Sequence, residues 1–417
     1  MRRDTRLGRG LRSGALHCAA ALFLLAFTTA PAHADTVRER QWHLDGMHAE
    51  EMWRTSTGSG VTVAVIDTGV DADLPDLEGQ VLPGKDFSGA PGDSHTDYDG
   101  HGTAMAVLIA GTGRGFDGRG AKGLAPGAKV LPLRVDTDQS PKPLPDTHHA
   151  LARAIRYAAD SEARIINISL ANIAEIEAQS QALDYALEKG KLVFAGVGNS
   201  AQKGNPILYP AAHKGVVGVG AIDKNATVTA ESERGSQVTL AAPGEDMYTT
   251  SERGGGVRRG HGTSDASALA SASAALLWSV HTDWTANQVL RVLINTAHGP
   301  ESGAKRSASL GYGVVRPRVA LKSPGDPGAA DVNPLTGAKS APPQTSQAPQ
   351  PGQEGGQNHV QRDQAPRADT RQDEGGSAGK WVALGAGALV CIGIAVIVPL
   401  LRARNRRRSH REPGRDF

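Results

Sequence analysis

Val61-Thr62-Val63-Ala64-Val65-Ile66-Asp67-Thr68-Gly69 decides the fold. From Val61 to Ile66 every residue is apolar or β-branched, and the run ends abruptly at a carboxylate followed by a glycine turn. A strand solvated on one face alternates apolar and polar residues. This one does not, so it suits a parallel sheet covered by helices on both sides. Lys129 to Val135, Arg164 to Ser169, Leu192 to Ala195 and Val216 to Val219 repeat the pattern. Between them Leu151, Ala154, Ile155, Ala158 and Ala159 recur at helical spacing. Thr285-Ala286-Asn287-Gln288 has the form of a capping box opening another helix. The alternation predicts an α/β fold: a doubly wound, mostly parallel sheet with helices on both faces and right-handed crossovers. Ligands of such sheets bind beyond the carboxyl ends of the strands, and Asp67 lies at one of those ends.

Two further motifs give that carboxylate a purpose. His101-Gly102-Thr103 opens a small-residue segment through Ala104, Ala106 and Ala110, and Gly262-Thr263-Ser264 opens an alanine-rich, strongly helical run to Leu277. Each motif alone is compatible with an ordinary loop or cap. Together, in the order Asp67, His101, Ser264, they supply an orienting carboxylate, a base and a nucleophile. A serine at a helix N-terminus has free backbone N–H groups and the positive end of the dipole beside it, and both stabilise an oxyanion. Asn199, in the loop Gly196-Val197-Gly198-Asn199-Ser200, has two readings: a side-chain donor to that oxyanion, or a residue of a left-handed turn. His261 is a second imidazole three residues before Ser264 but has no carboxylate motif matched to it, so His101 is the expected base. Asp265 directly follows the nucleophile and also has two readings. Pointing outward it is a favourable helix-start acid. Pointing inward it opposes the oxyanion and favours the charged form of His101.

These motifs and their order resemble the subtilase (subtilisin-like) family, as do Gly123-Leu124-Ala125-Pro126-Gly127-Ala128, Ile166-Asn167-Ile168-Ser169-Leu170 and Gly311-Tyr312-Gly313-Val314-Val315. By that resemblance the triad is Asp67, His101 and Ser264, the oxyanion asparagine is Asn199, and Ser169, Leu170 and Ala171 form the segment that pairs with the substrate backbone. The sequence departs from the family pattern at Ala268, where proline is usual, at Asp265, where an apolar residue is usual, and at Ala171, where glycine is usual. No cofactor is implied, and no acidic cluster identifies a metal site.

The termini set the expected location. Arg2, Arg3, Arg6, Arg9 and Arg12 precede an apolar run and Ala32-His33-Ala34, the form of a signal peptide over residues 1–34 with Asp35 as the first mature residue. Residues 35–322 are the expected catalytic domain. Residues 323–379, rich in Pro, Gln and Gly and lacking aromatics, are expected to be an unfolded stalk. Residues 380–401 contain an uncharged apolar run from Trp381 to Leu401, long enough to span a bilayer core, and Arg402, Arg404 and Arg406 to Arg408 in residues 402–417 mark the cytoplasmic side. This layout, with Gln41-Trp42-His43-Leu44-Asp45 and Glu51-Met52-Trp53, resembles the mycosins, membrane-anchored subtilases associated with type VII secretion. The segment from Asp35 to Val61 is too short for a folded inhibitory prodomain. The two cysteines, Cys18 and Cys391, lie in the two apolar runs, which leaves no disulfide for the expected ectodomain.

The net charge of +2 reflects mainly the basic ends and calls for no nucleic-acid partner. The expectation is therefore a membrane-anchored, extracytoplasmic serine endopeptidase acting on peptides or proteins, with secretion-machinery proteins as possible partners. The alternative is a scaffold component of a secretion complex in which proteolysis is secondary.

Overall fold

The stretch that opened the reading forms β1 (Thr62–Asp67) in the computed structural model, which describes residues 36–135, 147–250 and 256–339. Six further strands join it: β2 (Lys85–Asp86), β3 (Lys129–Arg134), β4 (Ile165–Ile168), β5 (Leu192–Gly196), β6 (Val217–Ile222) and β7 (Val238–Pro243). Their order is β2-β3-β1-β4-β5-β6-β7, and every neighbouring pair is parallel. The chain leaves β1 to build β2 and β3 on one side, then crosses to β4 on the other. The winding reverses between β1 and β4, so their carboxyl ends flank the place where ligands of such sheets bind. Asp67 ends β1, and Ser169 follows β4.

The unbroken apolar runs are explained by what covers them. Val63 and Val65 face a core shared with α4 (His101–Ala110) and α7 (Thr263–Val280), whereas Ala64 and Ile66 face α5 (Thr147–Asp160) and α6 (Glu177–Glu188). Three short helices, α1 (Val37–Arg40), α2 (Trp42–Gly46) and α3 (Ala49–Met52), precede the sheet, and α8 (Ala286–Thr296) and α9 (Pro317–Lys322) follow it. The alanines of α7 at 266, 268, 270, 272, 274 and 275 are fully buried. Small side chains let the helix axis lie close to the sheet, which carries the start of α7, and Ser264 with it, toward the strand ends. The expected capping box begins α8: the Thr285 hydroxyl accepts from the Gln288 N–H, and the Gln288 side chain accepts from the Thr285 N–H at 3.1 Å.

The segment Gln41-Trp42 is a clamp. Gln41 is fully buried; its amide donates to the Lys122 and Tyr248 carbonyls and accepts from the Lys122 N–H, and the Trp42 indole donates to the Glu245 carbonyl at 2.9 Å. An antiparallel hairpin of β8 (Met247–Thr250) and β9 (Val257–Gly260), absent from the strands expected above, delivers the chain to α7.

The expected start of the unfolded stalk at residue 323 needs correction. The Arg291 guanidinium on α8 donates to the carbonyls of Pro327, Ala329 and Val332, the Thr285 hydroxyl donates to the Ala330 carbonyl, and Leu335 packs against the core. Composition missed this because the acceptors are backbone carbonyls, which every sequence has. The expected signal peptide, the rest of the expected stalk, the expected span at 380–401 and the basic tail lie outside the described residues. Among the described residues no helix is long and apolar enough to cross a membrane.

Candidate active site

The described structure brings Asp67 and His101 into direct contact. Asp67 is fully buried at the end of β1, and its Oδ1 meets Nδ1 of His101 at 2.7 Å. Oδ1 also accepts from the Thr68 N–H at 2.8 Å, while Oδ2 is buried with no hydrogen-bond partner. With Nδ1–H donated to Asp67, the imidazole is held in one orientation, and Nε2 is the nitrogen left to gain or lose a proton. Gly102 permits this approach: a Cβ there would sit 2.1 Å from the Gly69 carbonyl oxygen and 3.0 Å from Cβ of Asp67.

A second carboxylate, which the motifs did not reveal, locks the two elements together. Asp97 accepts five hydrogen bonds, from the Thr68 hydroxyl, the N–H groups of Asp99 and Gly100, and both the N–H and the hydroxyl of Thr103. It thereby ties the loop after β1 to the first turn of α4, which fixes Asp67 relative to His101. The only sequence signal was an acid four residues before His101.

Ser264 stands in the first turn of α7, partly exposed, with its Oγ 3.5 Å from the Ser169 carbonyl. That bond is long, so it holds the hydroxyl only weakly. Beneath it Asn167, fully buried, accepts from the Ser267 and Ser271 hydroxyls at 2.8 and 3.1 Å and donates to Ser169 Oγ at 3.1 Å. One buried amide thus couples α7 to the segment after β4. In that segment Leu170 is half-buried and Ala171 exposed, and no backbone–backbone hydrogen bond among the described residues engages either one. Their N–H and C=O groups remain open to an extended peptide.

Asn199 is tied to the start of α7 through its side chain. Its Oδ1 accepts from the Thr263 N–H at 2.9 Å, which turns Nδ2 outward as a donor. The side chain is exposed, and Nδ2 lies 2.8 Å from where a Cβ on Gly262 would stand, beside the nucleophile. Gly262 has φ of +130°, a backbone that L side chains rarely adopt, so glycine is required there twice over.

Asp265 points inward. It is 4 % exposed and lines a cavity of about 190 Å³ beside His101, so the reading of it as an outward helix-start acid does not hold. Burial pushes its carboxyl up to about 6, against the pull of His101, Arg258 and His261. Burial also opposes charge on the His101 ring, but the Asp67 charge and hydrogen bond, assisted by Asp265, prevail and raise it to about 9. His261 does have a carboxylate partner after all. Glu231 lies 2.7 Å from its Nδ1 and, by that hydrogen bond and its charge, raises its affinity for a proton. The ring is mostly exposed on the cavity rim.

Below the asparagine loop Glu233 is fully buried with no side-chain partner, and burial, only partly offset by the Ser200 backbone, pushes it up to about 6. Among the described residues no group of three or more His, Cys, Asp or Glu is placed to hold a metal ion.

An Asp–His pair at a strand end, a serine opening a buried helix and an amide donor beside it correspond to known proteins over most of the described chain. Residues 58–314 match the subtilase family, Peptidase_S8. The chain belongs to the subtilase family. This subtilase is 36% identical over 212 residues to thermitase from Thermoactinomyces vulgaris, covering 51% of this chain and 72% of thermitase. It is 31% identical over 333 residues to Mycosin-1 of Mycolicibacterium smegmatis, covering 68% of this chain and 73% of the relative. The crystal structure of MycP1 from the ESX-1 type VII secretion system superposes with a TM-score of 0.63 at 29% identity, covering 73% of this chain and 91% of MycP1. The subtilase is thus a subtilisin-like serine protease related to the mycosins, with the subtilisin-like α/β fold.

Proposed function

We propose that this chain is a membrane-anchored, extracytoplasmic serine endopeptidase associated with type VII secretion, in which Asp67, His101 and Ser264 are the catalytic triad. The 2.7 Å bond between Asp67 and Nδ1 of His101 carries the reading. Nε2 of His101 takes the proton from Ser264 as Oγ attacks the scissile carbonyl carbon. The resulting oxyanion is held by Nδ2 of Asn199 and the backbone N–H of Ser264. His101 then delivers the proton to the leaving nitrogen, the C–N bond breaks, and an acyl-enzyme ester remains for water to hydrolyse by the same steps. Leu170 and Ala171 align the peptide as an added strand, with Ser169 preceding them. No cofactor takes part.

A fluorophosphonate probe tests the nucleophile. It should label the full chain at Ser264 and fail to label Ser264→Ala. A labelled Ser264→Ala protein, or one that still hydrolyses peptides at the parental rate, overturns the triad. The membrane placement rests on the two apolar runs and the arginines that follow the second. External protease applied to intact cells should release an active fragment, and retention of the catalytic part on the cytoplasmic side refutes the topology. Mycosin relatives carry the association with secretion. Secretion by a Ser264→Ala strain separates an enzymatic role from a scaffolding one.

A further inference from the structure

Beside His101 lies the cavity of about 190 Å³, lined by His101, Met105, Thr249, Gly260, His261 and Asp265. At roughly 30 Å³ per water molecule it holds about six waters, enough space for a long unbranched side chain. None of residues 169–171 lines it. That segment meets Ser264 instead through the Ser169 carbonyl, 3.5 Å from Oγ. In the hydrolysis proposed above, on which this inference rests, the leaving nitrogen must come within hydrogen-bond reach of His101 to receive its proton. The residue carrying that nitrogen, the one after the scissile bond, therefore stands next to His101, and this cavity is the space its side chain meets.

Two of the cations around the cavity have carboxylate partners: Arg259 is bonded to Asp246 and His261 to Glu231, whereas the Arg258 guanidinium donates to the Asp99 carbonyl at 3.3 Å. Asp265 feels the charges of His101, Arg258 and His261 but makes no ion pair with them. It is more than nine-tenths buried, lines the cavity, and accepts no hydrogen bond from another side chain among the described residues. Gly260 leaves it uncovered, since even a Cβ there would lie 3.3 Å from Oδ1. A buried carboxylate with no side-chain partner is costly to keep, and the cost is relieved by a donor that arrives with a charge. Met105 and Ala104 supply apolar wall for the methylene stem of such a donor.

We propose that Asp265 is a specificity-determining residue of this protease, selecting substrates with lysine or arginine immediately after the scissile bond. The Asp265 carboxylate accepts from the ammonium or guanidinium; Arg258, Arg259 and His261 also line the cavity and oppose a second cation, so the preference rests on the hydrogen bond that Asp265 alone can accept there. A substrate with glutamate at that position would place a second carboxylate against Asp265 and is rejected.

The test uses the full chain and a random-sequence peptide library, with cut sites mapped by mass spectrometry. Peptides differing only in lysine, norleucine or glutamate after the cut then give kcat/KM at pH 8. Lysine should exceed norleucine by about tenfold or more, the worth of a hydrogen bond between charged groups, and glutamate should be the poorest. In Asp265→Asn the lysine-to-norleucine ratio should fall to about one. A ratio near one in the parental protein, a preference for glutamate, or an unchanged ratio in Asp265→Asn overturns the proposal. Because the first comparison uses the parental protein alone, a variant that fails to fold does not protect the idea. Fluorophosphonate labelling is run on the same samples. Labelled enzyme without the preference sinks this inference only, whereas no labelling and no turnover of any peptide sinks the hydrolase reading with it.

Discussion

Replacing Asp265 with asparagine keeps the size of the side chain and removes one buried charge beside His101. The structure predicts a faster enzyme at neutral pH. His101 stands at about 9. At pH 7 only about 1% of its rings are then free base, the form that accepts the serine proton. Asp265, at about 6, is mostly ionised at that pH, so its charge contributes to holding the ring protonated. At an effective dielectric of about 20, a unit charge at roughly 6–12 Å contributes about 1.4–2.8 kcal/mol, or about one to two pH units. The sign follows directly: a lost negative charge destabilises the imidazolium, and the acidic limb of kcat/KM moves to lower pH. The free-base fraction at pH 7 rises to roughly 10–50%, so kcat/KM for a substrate with a neutral residue after the cut should rise about 10- to 50-fold. Above pH 10 the two proteins should converge. The assay is kcat/KM from pH 5 to pH 11, with circular dichroism at each end to establish that both remain folded. An acidic limb that stays in place, or moves to higher pH, refutes the coupling between Asp265 and the base.

Asn199→Ala should lower kcat about 10²- to 10³-fold with KM little changed, because its donor acts on charge that forms only in the transition state; a fall in affinity alone would contradict this role. Asp97→Ala should lower kcat on the order of 10²-fold by releasing α4 from the loop after β1, and an unchanged kcat in a folded variant would show that Asp67 and His101 are aligned without it. His43 is fully buried, and burial first, then Arg38, lowers it to about 3. The folded protein excludes a proton that the unfolded chain binds, so stability is lost as pH falls below the ordinary histidine value, by on the order of 3 kcal/mol at pH 4; urea midpoints at pH 7 and pH 4 should differ less in His43→Leu than in the parent. Glu233 has the opposite sign. Its folded value of about 6 against 4.5 means stability is present below 4.5 and lost as pH rises through 6, about 2 kcal/mol in all, so Glu233→Gln should gain stability relative to the parent at pH 8 and not at pH 4.

Much of the fold was readable because a parallel strand buried on both faces leaves an unmistakable pattern. Val61 to Ile66, Lys129 to Val135 and Leu192 to Ala195 could bury themselves in no other way, and β1, β3 and β5 lie there. The hairpin of β8 and β9 left no such mark, since β9 is half exposed and its runs are short and charged. The triad candidates were legible because each sits beside glycines that close approach demands, as the 2.1 Å clash at Gly102 illustrates. Residues 323–339 were misjudged because backbone carbonyls held by Arg291 carry no compositional signal.

What the sequence determined by itself is the chemistry available and the kind of sheet that presents it, because strand burial, helix starts and glycine turns are local properties written into consecutive residues. Tertiary structure alone decided what each charge experiences. Nothing local told Asp265 apart from an exposed helix-start acid, paired His261 with a glutamate 30 residues away, or stranded Glu233 beneath the asparagine loop. A carboxylate's proton affinity depends on the water it has lost and the charges brought near it, and both are set by segments that meet only when the chain has folded.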